Sequence, residues 1–250
     1  SKSIGLSIVI PVYNEQESII PLYLSLKKVM SGLALSYKIV IVDDGSTDRT
    51  FENLRMQCST KENSDLKVIR LRRNFGKSAA LSAGFSATNS DLIVTMDGDL
   101  QDDPREIPRF IEAIKNADLV VGWKFKRSDS FSKLITSRIF NILVRMLTSV
   151  RVHDSDCNFR IMKREVIENI DIYGGLYRYI PSLAHAKGFK VREIKVMHHK
   201  RRFGSSKFGP ARLITGSLDL LTIVFLTSFS RRPLHLLGIA GFLSASIGFF

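Results

Sequence analysis

The sequence predicts an α/β fold built on a doubly wound, mostly parallel sheet. Short β-branched runs alternate with apolar-periodic stretches through the first half of the chain. Most of these runs are nearly continuous in apolar residues, as expected when helices cover both faces of a parallel sheet. Acidic residues collect after three of the runs, and such sheets bind ligands at the carboxyl ends of their strands.

In chain order, strands are expected at 7–12, 38–44, 66–71, 91–97 and 118–123. Helices are expected near 17–30, 48–58, 77–88 and 105–116, with Asp48 placed to cap the second and Pro104 to open the last. The pattern then changes to a long amphipathic helix at 131–148, followed by the dense polar string His153-Asp154-Ser155-Asp156-Cys157-Asn158-Phe159-Arg160. A strand at 189–197 precedes a basic run at 198–208. Residues 210–229 read as a largely apolar helix or helix pair able to lie on a bilayer surface. Residues 234–250 carry no charged side chain and follow Arg231, Arg232 and Pro233. We expect there a first transmembrane helix cut short, flanked by cytoplasmic positive charge, in preference to a buried core helix.

The 250 residues carry a net charge of +13, which points to anionic partners: nucleotide phosphates, lipid phosphates, a membrane surface or nucleic acid. The strand-end acids argue against nucleic acid, because they would repel its phosphates. Cys58 and Cys157 are too few and too far apart for a disulfide framework or zinc site, so a reducing compartment is the default.

Three loops hold the candidate chemistry: Pro11-Val12-Tyr13-Asn14-Glu15, then Asp43-Asp44-Gly45-Ser46-Thr47-Asp48, then Asp97-Gly98-Asp99-Leu100-Gln101-Asp102-Asp103. Asp97 and Asp99, two apart at a strand end, can present both carboxylates to one side, and Gly98 permits close approach of a ligand. Such hard oxygen donors suit Mg²⁺ or Mn²⁺, which usually completes its shell with water and substrate phosphates. Asp102 and Asp103 are better placed to cap the next helix. In the basic run, Arg201 can bind phosphate as a planar fork and Lys207 as a point charge, while Gly204 loosens the loop between them. His198 and His199 have no acidic partner at helical spacing and are not proposed as metal ligands. Arg73 to Lys77 lacks the spacing of a phosphate loop and stays off the catalytic list.

SIVIPVYNE, IVDDGSTD, RNFGKSAALSAGF, MDGDLQDDP and RRFGSSKF occur in an order that resembles the inverting family 2 glycosyltransferases. The similarity is greatest to the branch acting on polyprenyl phosphates: dolichol-phosphate mannose synthases, bactoprenol glucosyltransferases and undecaprenyl-phosphate aminoarabinose transferases. The resemblance implies a GT-A catalytic domain at 1–208, amphipathic interface helices at 209–232 and a truncated transmembrane helix at 233–250. It implies a nucleotide-sugar donor (UDP- or GDP-linked), a polyprenyl phosphate acceptor, and a bacterial inner membrane location with the catalytic domain in the cytoplasm. Glucose on UDP is the sugar expected by analogy, and homo-oligomerisation is left open.

The resemblance also assigns roles. Pro11, Tyr13 and Glu15 look like the nucleotide-binding loop, and Val42 and Asp44 like the base and ribose contact. Asp97, Asp99 and Gln101 resemble the metal site. Gly98, Lys124, Arg201 and Lys207 join the nucleotide-sugar set. Asp154 matches the acid of a D-x-x-x-x-F-R pattern and is the favoured base, with Asp156 second. Other relatives place an acid directly before the Phe, where this chain has Asn158. Processive relatives carry Q-x-x-R-W, which is absent here. The alternatives are a family 2 transferase acting on a glycan or other acceptor, and a basic nucleic-acid-binding protein.

Overall fold

The computed structural model describes residues 5–59, 63–125, 144–148, 150, 152–203, 211–229 and 233–249. A seven-stranded sheet runs through the described residues in the order β3-β2-β1-β4-β6-β5-β7. Its strands are β1 (Leu6–Val12), β2 (Tyr37–Asp43), β3 (Leu66–Arg70), β4 (Leu92–Thr95), β5 (Leu119–Lys124), β6 (Arg160–Lys163) and β7 (Val191–Val196). All run parallel except β6, which pairs antiparallel with β4 and β5. Every residue of β1 is buried, because β1 is central and helices cover both faces.

The helices between the strands are α1 (Ile19–Met30), α2 (Thr50–Cys58), α3 (Lys77–Ser86) and α4 (Ile107–Ile114). Asp48 steadies the start of α2, its Oδ1 accepting from the Thr50 amide at 2.9 Å. Asp103 caps a 3₁₀ turn at Pro104–Glu106 that leads into α4. The chain winds from β1 out to β3, then returns to β4 on the other side of β1. That reversal opens a crevice at the carboxyl ends of β1, β2 and β4, where the acidic loops emerge.

Strand β6 was not expected, because Arg160 breaks the apolar pattern of RIMK. The fold accepts it by burying the whole side chain (0% exposed) and satisfying it with backbone. Arg160 donates to the carbonyls of Cys157 at 2.6 Å, Tyr177 at 2.7 Å and Ser155 at 3.0 Å. One guanidinium thus ties the 155–157 loop to the Leu176–Tyr179 turn behind the crevice. Helices α5 (Arg164–Glu168) and α6 (Ile180–Ala186) complete this half.

Helix α7 (Ala211–Val224) continues into a wider turn at Phe225–Phe229 and is followed by α8 (Pro233–Gly248). Leu220 and Ile223 of α7 enter a second small core with Val152, Leu176 and Tyr179, and the Tyr179 hydroxyl donates to Gly216 O at 2.9 Å. Leu218 and Leu221 of the same helix are exposed, as are Leu234, Phe242 and Ile247 on α8. Among the described residues no helix is long and apolar enough to cross a membrane. The transmembrane expectation at 233–250 is not confirmed among these residues: α8 has 16 residues. At the helical rise this is about 24 Å, against a hydrocarbon core of about 30 Å. Most of the helix expected at 131–148 lies outside the described residues, of which 144–148 are helical.

Candidate active site

The register that pairs Val12 with Asp43 ends β1 and β2 at the same level, so their loops meet. Asn14, at φ 53°, takes the left-handed turn that makes this contact. Its amide donates to Ser46 Oγ at 2.9 Å and its Oδ1 accepts from the Thr47 amide at 2.9 Å. Gly45 has φ +70°, and a Cβ there would lie 2.4 Å from the Arg73 carbonyl carbon. Only glycine permits the β2 loop to press this closely on the segment after β3. Asp44 fastens the same contact, accepting from Phe75 N at 2.8 Å and Gly76 N at 2.9 Å. Burial raises its pKa, and these two amides work against that rise.

These loops leave a cleft of about 580 Å³, lined by Tyr13, Ser46, Thr47, Arg72, Arg73 and Asn74 among others. An aromatic ring, polar loop groups and arginines suit a base, its ribose and the first phosphate of a nucleotide. Tyr13 lines this cleft. Pro11 and Val42 pair in register near the ends of β1 and β2, and both are buried in the sheet. At Gly98 a Cβ would meet Val12 Cγ1 at 2.7 Å. Its missing side chain lets the β4 loop close on β1.

Beyond the cleft, the β4 loop presents its carboxylates. Asp97 Oδ1 accepts from Lys77 Nζ at 2.5 Å and from Asn158 Nδ2 at 3.0 Å. Burial opposes ionisation of Asp97, but Lys77 and Lys124 outweigh it and hold the pKa at about 2. Asp99 is 7% exposed and accepts from Arg201 Nη2 at 2.5 Å and from the Gln101 amide at 3.2 Å. Its pKa is raised by burial and by the charge of Asp97, against the pull of Arg201. Arg201 Nη1 also lies 3.8 Å from Glu15 Oε1, so Glu15 joins the carboxylate end of the crevice.

Gln101 ties this loop to the segment after β7, its Nε2 donating to His199 O at 3.2 Å. His198 and His199 do have acidic neighbours, although none sits at helical spacing. His198 Nδ1 lies 3.6 Å from Asp102 and His199 Nε2 lies 3.1 Å from Asp103. Asp102 is therefore no helix cap: it also accepts from the Asp97 amide at 3.3 Å and lies 3.8 Å from Lys124 Nζ. Lys207 lies outside the described residues.

The acids of the polar string flank the same region. Asp154 is 3% exposed and lies within the electrostatic reach of Lys124. Asp156 is more open and pairs with Arg178 at 3.5 Å. Glu193 of β7 anchors the string, accepting from the His153 amide at 2.7 Å and meeting its ring Nδ1, while Trp123 stacks on that ring at 4.2 Å. Glu193→Ala is expected to lower kcat roughly tenfold, as loss of a supporting contact does, with little change in donor KM. Steady-state kinetics with Glu193→Gln as the partial-rescue control checks this.

Lys77 is one residue that sequence reasoning left out of the site. A signal was present, because a cation in the first turn of a helix opposes the helix dipole and is out of place without a carboxylate partner. Asn158, Arg178 and Asp102 were missed because their partners are distant in sequence.

Among the described residues no three acidic, histidine or cysteine side chains form a ready metal cage. The donor chemistry at Asp97 and Asp99 nevertheless fits Mg²⁺ or Mn²⁺. Two adjacent carboxylates that repel one another form an incomplete hard-oxygen set, which diphosphate oxygens and water would complete.

The family model "Glycosyl transferase family 2" matches residues 7–171. A dodecaprenyl-phosphate galacturonate synthase of Rhizobium johnstonii is 36% identical over 245 residues, spanning 96% of this chain and 72% of that protein. An undecaprenyl-phosphate 4-deoxy-4-formamido-L-arabinose transferase of Pseudomonas fluorescens is 37% identical over 243 residues, with 97% and 70% covered. In structure the chain is similar to glucosyl-3-phosphoglycerate synthase of Mycobacterium tuberculosis in complex with Mn²⁺, uridine diphosphate and phosphoglyceric acid. That match has a TM-score of 0.66 at 17% identity, covering 89% of this chain and 78% of the other. The fold is thus GT-A, with a mixed sheet, and the chain belongs to the family 2 glycosyltransferases.

Proposed function

We propose that this enzyme transfers a sugar from a nucleotide-sugar to a polyprenyl phosphate at a membrane surface. The observation that carries it is a nucleotide-sized cleft and the Asp97/Asp99 pair on loops that follow the neighbouring parallel strands β1, β2 and β4. Helix α7, with Leu218 and Leu221 exposed, packs on the Leu176–Tyr179 turn behind that crevice. The relatives, named for dodecaprenyl and undecaprenyl phosphates, support the acceptor class. Their sugars are galacturonate and 4-deoxy-4-formamido-L-arabinose, so glucose is set aside in favour of an oxidised or amino-substituted sugar.

In this scheme Tyr13 and the Asp44 loop take the nucleoside, and Arg201, with Lys207, takes the diphosphate. Asp97 and Asp99, with Gln101 beside them, would hold Mg²⁺ or Mn²⁺, which would offset charge on the leaving diphosphate. A lipid phosphate oxygen attacks the anomeric carbon as the bond to the diphosphate breaks, releasing nucleoside diphosphate. The phosphate is already anionic, so positioning and charge neutralisation supply most of the rate. Of the two acids, Asp156 is the more accessible, and Asp154 sits deeper beside Lys124. We assign Asp156 to the acceptor side and Asp154 to holding the sugar. The domain division at 208 and 232, and the cytoplasmic placement, belong to the same proposal.

An acceptor panel tests this. Polyprenyl phosphate should support sugar transfer from at least one nucleotide-sugar, whereas soluble glycans should not. Transfer to a glycan alone would overturn the acceptor assignment.

A further inference from the structure

The carboxylates assigned to the metal are engaged by cations of the protein itself. Lys77 Nζ lies 2.5 Å from Asp97 Oδ1, and Arg201 Nη2 lies 2.5 Å from Asp99 Oδ2. Asp97 Oδ1 also takes Asn158 Nδ2 at 3.0 Å, and Asp99 Oδ1 takes the Gln101 amide at 3.2 Å. The two carboxylates therefore face two contacting cations, and Lys124 adds a third positive charge nearby. A divalent cation approaching this pair alone finds both carboxylates already held by contacting cations. It would have to displace both ion pairs.

Lys77 also stands where its charge is otherwise unwelcome, in the first turn of α3, with the Tyr177 ring 5.0 Å from its ammonium. Its flexible stem and the fork of Arg201 are both suited to move from a carboxylate to a phosphate oxygen.

We infer that Lys77 and Arg201 act as built-in counter-cations. They hold Asp97 and Asp99 in the nucleotide-free enzyme, and the donor diphosphate draws them off, so that divalent cation and nucleoside diphosphate are taken up together. This rests on the metal–diphosphate reading of the crevice. It gives Lys77 a function that the catalytic scheme leaves out, and it keeps the free enzyme from carrying a metal it cannot use.

The test is Mn²⁺ binding to the full chain, followed through the electron paramagnetic resonance signal of free Mn²⁺, with and without UDP and GDP. Wild-type protein should bind Mn²⁺ weakly alone and at least about tenfold more tightly with the matching nucleoside diphosphate. Lys77→Met should tighten nucleotide-free Mn²⁺ binding about tenfold, corresponding to about 1.4 kcal/mol, and shrink the nucleotide's effect. Lys77→Arg, which keeps the charge, should behave as wild type. Arg201→Met tests the second cation independently and decides the matter if Lys77→Met fails to fold. Unchanged or weaker nucleotide-free binding in the folded variant, with normal Mn²⁺–nucleotide binding in wild type, would overturn the inference alone. Failure of wild type to bind Mn²⁺ even with bound nucleoside diphosphate would overturn the metal–diphosphate reading and the inference together.

Discussion

Asp97→Asn lowers kcat by about a hundredfold to a thousandfold, the range for losing one electrostatic stabiliser of a developing anion. The expectation follows from how the charge is held. Lys77 and Lys124 keep Asp97 ionised at about 2, far below working pH, so the carboxylate is a permanent charge and no proton shuttle. Asparagine keeps a carbonyl oxygen for Lys77 and Asn158, so the packing survives while the charge is lost. Donor KM should rise less than kcat falls, because the nucleoside end of the cleft, around Tyr13 and Arg73, is untouched. A circular dichroism melt beside the kinetics separates this from misfolding. An active Asp97→Asn enzyme would remove Asp97 from the mechanism.

Arg160→Leu is expected to cost about 3–5 kcal/mol, a large part of the stability of a typical domain. It takes the guanidinium away from the carbonyls of Cys157, Tyr177 and Ser155, all in buried residues. At the usual conversion for a chain of this size, the melting temperature falls by roughly 10 °C. Arg160→Lys should rescue little, because a single ammonium cannot span three carbonyls arranged around a planar fork. A thermal melt of both variants checks this, and a lysine variant as stable as wild type would contradict it. The effect reaches function as well, since the same guanidinium holds the loop that carries Asp156.

Why Arg160 escaped the sequence reading also explains what was legible elsewhere. β1 and β2 announce themselves through unbroken apolar runs, and both were placed within a residue of their observed bounds. Their periodicity is local, and so is the turn chemistry after them. β6 is specified by contacts 17 residues away at Tyr177, which no window of sequence contains. The site divides in the same way. Asp97 and Asp99 are close in sequence and could be read as a pair. Lys77 reaches Asp97 across 20 residues and Arg201 reaches Asp99 across 102, so their engagement is visible only after folding.

Transfer of label into lipid most directly tests the central claim, that the Asp97/Asp99 crevice moves a sugar onto polyprenyl phosphate. Purified enzyme is given undecaprenyl phosphate and a panel of radiolabelled nucleotide-sugars, and the organic phase is counted. Label should enter the lipid from at least one donor, disappear with a chelator, return with Mn²⁺ or Mg²⁺, and stay near background in Asp97→Asn. No lipid-linked label from any donor, or label that persists through chelation and in Asp97→Asn, would contradict it.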